Sequence, residues 1–260
     1  MQGLEDADLE RRFGGLRRLY GDADYRRLRA ARFAVVGLGG VGSWAVEALA
    51  RMGVAALVLI DLDQVAESNI NRQVQALGST VGMAKAEALR RRIADIHPGC
   101  AVTVIEEFVD EQNWPALLGD APVDGLIDAC DQVRAKAALA AWARARRLPF
   151  VTVGAAGGKR QPHALQVEDL GLVTHDPLLA SLRQRLRKFH AAPRQGRMGV
   201  ACVFSREAVL RPTDAGCEID PQSDSSLNCH GYGSSVAVTA SFGMAAAAET
   251  VKLFLQNSCA

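Results

Sequence analysis

A glycine-rich turn, Gly37-Leu38-Gly39-Gly40-Val41-Gly42, constrains this chain more than any other feature. Before it, Phe33-Ala34-Val35-Val36 has the unbroken apolar character of a strand buried on both faces. After it, Trp44 to Met52 carries the apolar spacing of a helix packed on a sheet. At such a junction Gly37 permits the tight turn out of the strand, Gly39 lets backbone approach a phosphate, and Gly42 lets the helix sit close to the sheet. Gly40 belongs to the same turn. A second buried strand, Ala56–Ile60, ends at Asp61, where an acidic residue meets ribose hydroxyls in dinucleotide-binding folds. On this much alone, an NAD enzyme is the natural first reading.

The alternation continues. Met83 to Ile96 reads as a helix stopped by Pro98, Val102–Ile105 as a third strand, Leu126–Ile127 as a fourth, Val133 to Arg147 as a helix and Phe150–Val153 as a fifth strand. Strand and helix in turn predict an α/β fold, a Rossmann-like doubly wound parallel sheet, because each right-handed crossover lays its helix on a sheet face. Gly154–Gly158 interrupts regular structure. Ala164–Val167 then reads as a strand, Pro177 to His190 as a basic helix, Val200–Phe204 and Arg206–Leu210 as short strands, and Pro212 to Leu227 as a polar loop. The expected organisation is an N-terminal helical segment (1–31), a nucleotide-binding core (32–154) and an elaboration of the same domain (155–260).

Composition narrows the class. With 260 residues and 49% hydrophobic content, one sizeable core is expected, and a net charge of +1 argues against nucleic-acid binding through overall charge. The six cysteines are scattered with no Cys-x-x-Cys pair, so neither a disulfide framework nor a structural zinc is expected. Met1–Asp6 is acidic and lacks the start of a signal peptide, which gives a cytoplasmic expectation. Gly231 to Ala248 is uncharged and long enough to raise a membrane span, but its Ser, Thr and Gly content favours an alanine-rich core helix.

The segment after Asp61 tells against redox chemistry. Asp63, Asn69, Asn71, Arg72, Gln73 and Lys85 crowd one short stretch, and hydride transfer needs no such phosphate-directed cations. Arg72 and Lys85 suit charge building on a triphosphate as pyrophosphate leaves. Asp131, just past the fourth strand, falls at the sheet edge where ligands bind and suits the magnesium that accompanies ATP. Its plainer role is to cap the helix beginning near Val133.

On these residues the chain resembles the E1-like (ThiF/MoeB/HesA-type) adenylating family over about 32–154. The resemblance implies that the glycine turn and Asp61 hold ATP, that Arg72 and Lys85 assist the phosphate chemistry and that Asp131 binds Mg2+, with Asn69 and Gln73 near the nucleotide. Arg12–Gly21, Val41–Trp44, Phe204–Glu207 and Gly231–Ser235 resemble the tRNA threonylcarbamoyladenosine dehydratase branch of that family. That resemblance implies activation of the threonine carboxylate of N6-threonylcarbamoyladenosine at tRNA position 37. An acyl-adenylate forms, pyrophosphate leaves, and ring closure expels AMP. It also implies a homodimer, a substrate-facing role for 155–260, and cysteine desulfurase or sulfur-acceptor partners. Arg12, Arg17 or Arg18 is then the candidate to reach a partner subunit's site. The alternatives are adenylation of a ubiquitin-like or sulfur-carrier protein's C-terminal carboxylate, and a noncatalytic nucleotide-sensing module.

For tRNA contact the candidates are Arg183, Arg185 and Arg187 on the basic helix, with Lys159 and Arg160 after the flexible glycines. A charge run is usually a solvated face. Cys229 beside His230 invites a thiol-nucleophile reading, although neighbours in sequence need not meet in space and the ring closure needs no thiol.

Overall fold

A computed structural model describes residues 8–210 and 232–257. Two helices, α1 (Leu9–Phe13) and α2 (Gly15–Ala30), precede β1 (Arg32–Val36) and α3 (Gly42–Arg51). Then come β2 (Ala56–Ile60), α4 (Lys85–Ile96), β3 (Ala101–Ile105), β4 (Gly125–Asp128), α5 (Val133–Arg146) and β5 (Phe150–Val153). The second half supplies β6 (Leu165–Asp169), α6 (Pro177–Phe189), β7 (Ala201–Ser205) and α7 (Val236–Gln256).

The strands form one seven-stranded sheet in the order β3-β2-β1-β4-β5-β7-β6, parallel throughout except that β6 runs antiparallel to β7. Strand order reverses between β1 and β4, which opens a crevice at their carboxyl ends. Two apolar layers cover the sheet. Leu49, Leu59, Phe242 and Val251 lie in one, and Leu126, Leu139, Leu182 and Phe204 in the other. Each such fully buried side chain contributes about 1.5–3 kcal/mol.

α7 is long and apolar enough to cross a membrane by length and composition, with 44% of its apolar window buried against the rest of the molecule. It crosses α3 closely because Gly243 has no side chain; a Cβ there would lie 2.7 Å from the Trp44 Cβ. The 206–210 segment is not the strand its sequence suggests. Glu207 turns its carboxylate to the backbone amides of Arg160 and Gln161, and the Leu210 amide donates to the Gly158 carbonyl, so its polar groups are satisfied by a loop and not by a ladder. The polar loop expected at Pro212–Leu227 lies outside the described residues, as does Cys229.

At the end of α4, His97 is buried under Phe13, with the Arg29 guanidinium 3.2 Å from its Nε2. Burial, and then the charges of Arg29 and Arg12, push the imidazole down to about 4. The unfolded chain takes up this proton below about pH 6.5, while the folded chain resists until about 4. His97 therefore adds stability that is complete above pH 6.5 and declines across that window. Denaturant titrations at pH 7 and pH 4.5 are expected to show a larger loss for the wild type than for His97→Gln; equal losses would contradict this.

Candidate active site

The crevice at the sheet reversal holds a cavity of about 340 Å³. Gly37, Gly39, Gly40, Asp61, Asp63, Arg72, Gln73, Lys85 and Asp131 all line it. The glycines have separate reasons. Gly37 has φ +83° and backs onto the Ala129–Cys130 peptide, 2.8 Å from where a Cβ would sit. Gly42 stands behind the turn, where a Cβ would overlap the Gly37 carbonyl oxygen. At Gly39 a Cβ would meet nothing within 4 Å, because that face is the cavity.

Asp61 fixes the turn. Its Oδ2 accepts from the Leu38 amide at 2.6 Å and its Oδ1 from the Asp63 amide at 2.8 Å, leaving a lone pair on each oxygen for a ligand. Burial lifts its carboxyl above the ordinary carboxylate value, with the Lys85 ammonium 4.0 Å away opposing the shift. Lys85, the first residue of α4, is itself buried and donates to Asp63 Oδ2 at 2.6 Å.

Arg72 Nη1 donates to the Ser68 carbonyl and to Asn71 Oδ1. Its own carbonyl accepts from Trp44 Nε1 at 3.0 Å and Thr239 Oγ1 at 3.3 Å, so α3 and α7 both brace it. Asn69 closes its own turn by accepting from the Ala66 amide, and Asn71 Nδ2 donates to the Ser234 carbonyl; these two support the wall without lining it. Asp131 is exposed and has no hydrogen-bond or ion-pair partner among the described residues. The N-cap of α5 is Gln132, without a side-chain cap bond, so Asp131 is not the cap that its position suggests.

Several lining groups escaped the sequence: Phe108, which is 51% exposed, Thr239, Leu178 and the Gly154–Gly157 loop. Gln75, which donates from Nε2 to the Leu38 carbonyl, secures the turn from behind. Long-range position alone brings these groups in. Cys130 also lines the cavity, but burial and then Asp128 push its thiol well up, so it stays protonated.

The expected tRNA contacts are largely occupied elsewhere. Arg183 Nη1 donates to the Leu170 and Val173 carbonyls, Arg185 pairs with Glu111 at 2.6 Å, and Arg187 Nε donates to the Pro193 carbonyl. These arginines bind loops of their own chain and are not one free basic face. Lys159 is buried with its ammonium on the Ser205 carbonyl, and burial lowers its pKa; Arg160 remains exposed. Near the N-terminus, Arg12 caps α4 through the Asp95 and Ile96 carbonyls and Arg17 pairs with Glu10 and Asp22. Arg18 has no such partner among the described residues. A wider cleft of about 910 Å³ lies at the amino ends of β5 and β7, lined by charges of both signs and by none of the residues above. Size does not choose between the two; position at the carboxyl edge does.

The chain is 43% identical over 254 residues to tRNA threonylcarbamoyladenosine dehydratase of Escherichia coli, covering 95% of this chain and 94% of that one. It is 38% identical over 253 residues to the enzyme of that name from Haemophilus influenzae, with 95% of each covered. The solved structure of the E. coli enzyme in complex with ATP superposes with a TM-score of 0.86 at 41% identity, over 97% of this chain and 98% of that one. The ThiF family model matches residues 13–260, and with such whole-length relatives beside it this chain belongs to the ThiF family.

Proposed function

We propose that this chain is an ATP-dependent, AMP-forming enzyme that dehydrates N6-threonylcarbamoyladenosine at tRNA position 37. The observation that carries the proposal is the single cleft onto which the glycine turn, Arg72, Lys85 and Asp131 all open, in a chain whose whole-length relatives bear the name of that activity.

The threonyl carboxylate attacks the α-phosphorus of ATP, pyrophosphate leaves, and an acyl-adenylate remains. The carbamoyl group then attacks the acyl carbon and gives up an N–H proton to solvent as AMP departs with the former carboxylate oxygen, so the nucleoside loses one water. Backbone at Gly39 and the amino end of α3 face the phosphates. Arg72 and Lys85 offset the charge that builds on departing pyrophosphate, Lys85 exchanging its Asp63 contact for a phosphate oxygen. A carboxylate at Asp131 that is exposed and unpartnered among the described residues suits Mg2+, which takes one or two protein carboxylates and fills its shell with phosphate and water. Bound there, the ion would neutralise phosphate charge. On the family resemblance the proposal includes homodimeric assembly, a cytoplasmic setting, a substrate-facing role for residues 155–260, and contact with cysteine desulfurase or sulfur-acceptor proteins.

The test is AMP release. With ATP and magnesium, AMP is expected to accumulate on adding tRNA that carries threonylcarbamoyladenosine and not with tRNA lacking the threonylcarbamoyl group. Equal release with both would contradict the proposal.

A further inference from the structure

A buried ammonium ties together the two loops that flank the cavity. Lys136 lies in the first turns of α5 and is fully buried, at 0% exposure. Its Nζ reaches three acceptors: Asp128 Oδ2 at 3.1 Å, Thr152 Oγ1 at 3.0 Å and the Val153 carbonyl at 2.9 Å. Asp128 ends β4, while Thr152 and Val153 end the neighbouring β5. Every group in the cluster is satisfied. Thr152 Oγ1 donates to Asp128 Oδ2 at 2.6 Å, and Asp128 Oδ1 accepts from the Cys130 amide at 3.2 Å and the Cys130 thiol at 2.9 Å.

A buried ion pair is weak evidence for stability, since well-packed apolar residues of similar volume often serve as well or better. What this cluster does supply is position. The Asp128 bond to the Cys130 amide sets the turn that delivers Asp131, one residue further on. The Lys136 bond to the Val153 carbonyl fixes the strand end from which Gly154–Gly157 departs into the cavity wall. From the other side, Asp176 holds that loop by accepting from the Ala155 amide at 3.0 Å.

We propose that Lys136 is a positioning residue for nucleotide activation, which through Asp128 and Val153 holds the Asp131 turn and the Gly154–Gly157 loop in register against ATP. The inference rests on the assignment of Asp131 to the nucleotide's metal end, so its test carries that assignment as a separate arm. ATP is titrated calorimetrically, with and without Mg2+, into wild type, Asp131→Ala and the double variant Asp128→Asn/Lys136→Met, with thermal midpoints alongside. The double variant removes both charges at once and leaves neither buried alone. It is expected to melt within a few degrees of wild type, to bind ATP about tenfold more weakly, and to lose the magnesium-dependent part of the affinity as Asp131→Ala does. A folded double variant with wild-type affinity and magnesium dependence overturns the role of Lys136. Asp131→Ala binding like wild type overturns the assignment beneath it. If the double variant fails to fold, Thr152→Val deletes the hydroxyl shared by Lys136 and Asp128 without moving a charge; weaker ATP binding is expected there too, and unchanged binding overturns the proposal.

Discussion

Lys85→Ala is expected to lower AMP formation by about 10²- to 10³-fold at saturating ATP, and Arg72→Ala by a similar factor, as loss of preorganised charge at a departing anion commonly does. The effect is large because Lys85 is buried and already aimed, with Asp63 and Asp61 at 2.6 and 4.0 Å holding the ammonium at the cavity wall. Only the short exchange of Asp63 for a phosphate oxygen is then needed as pyrophosphate leaves. The substitution also strands the Asp61 carboxylate without its cation, so thermal midpoints must accompany the rates. Rates within a few-fold of wild type in both folded variants would contradict the assignment.

The second large effect separates two glycines of one turn. Gly42→Ala forces a methyl into the Gly37 carbonyl oxygen and within 3.3 Å of the Ala129 Cβ, where backbone and not a flexible side chain must give way. A loss of about 3 kcal/mol is expected, a fall on the order of 10 °C in midpoint for a chain of this size, with ATP binding lost as well. Gly39→Ala points its methyl into open cavity. It should melt like wild type and still bind ATP about tenfold more weakly, because the methyl occupies the space of a phosphate. Calorimetric titration and thermal melts on both variants check the contrast. Wild-type ATP affinity in Gly39→Ala would show that the phosphates do not lie against this turn.

The core of the sheet was legible because β1, β2, β4 and β5 are short apolar runs buried on both faces, a pattern with few alternatives. Helix ends were less so. α4 begins at Lys85 and not at Met83, because Ala84 pairs in a β-bridge with Gln64 and the Lys85 amide donates to the Asp63 carbonyl. Sequence spacing does not reveal a bridge between residues so far apart. The residues that line the cavity were legible where a motif names them, from Gly37 to Lys85. Their supports were not: Thr239 and Trp44 meet at the Arg72 carbonyl from opposite ends of the chain. Arg183, Arg185 and Arg187 were legible as a basic helix, but helical spacing says nothing of the carbonyls and the carboxylate that take them up. Lys136 gave no signal in an alanine-rich helix, and only the fold sets it between two strand ends.

The most direct measurement incubates the purified protein with ATP, magnesium and tRNA bearing threonylcarbamoyladenosine, then digests the tRNA and weighs its nucleosides. A nucleoside lighter by one water, formed only with ATP and matched by AMP, is the predicted result. An unchanged nucleoside, with pyrophosphate exchange instead appearing on addition of a sulfur-carrier protein, would contradict the account.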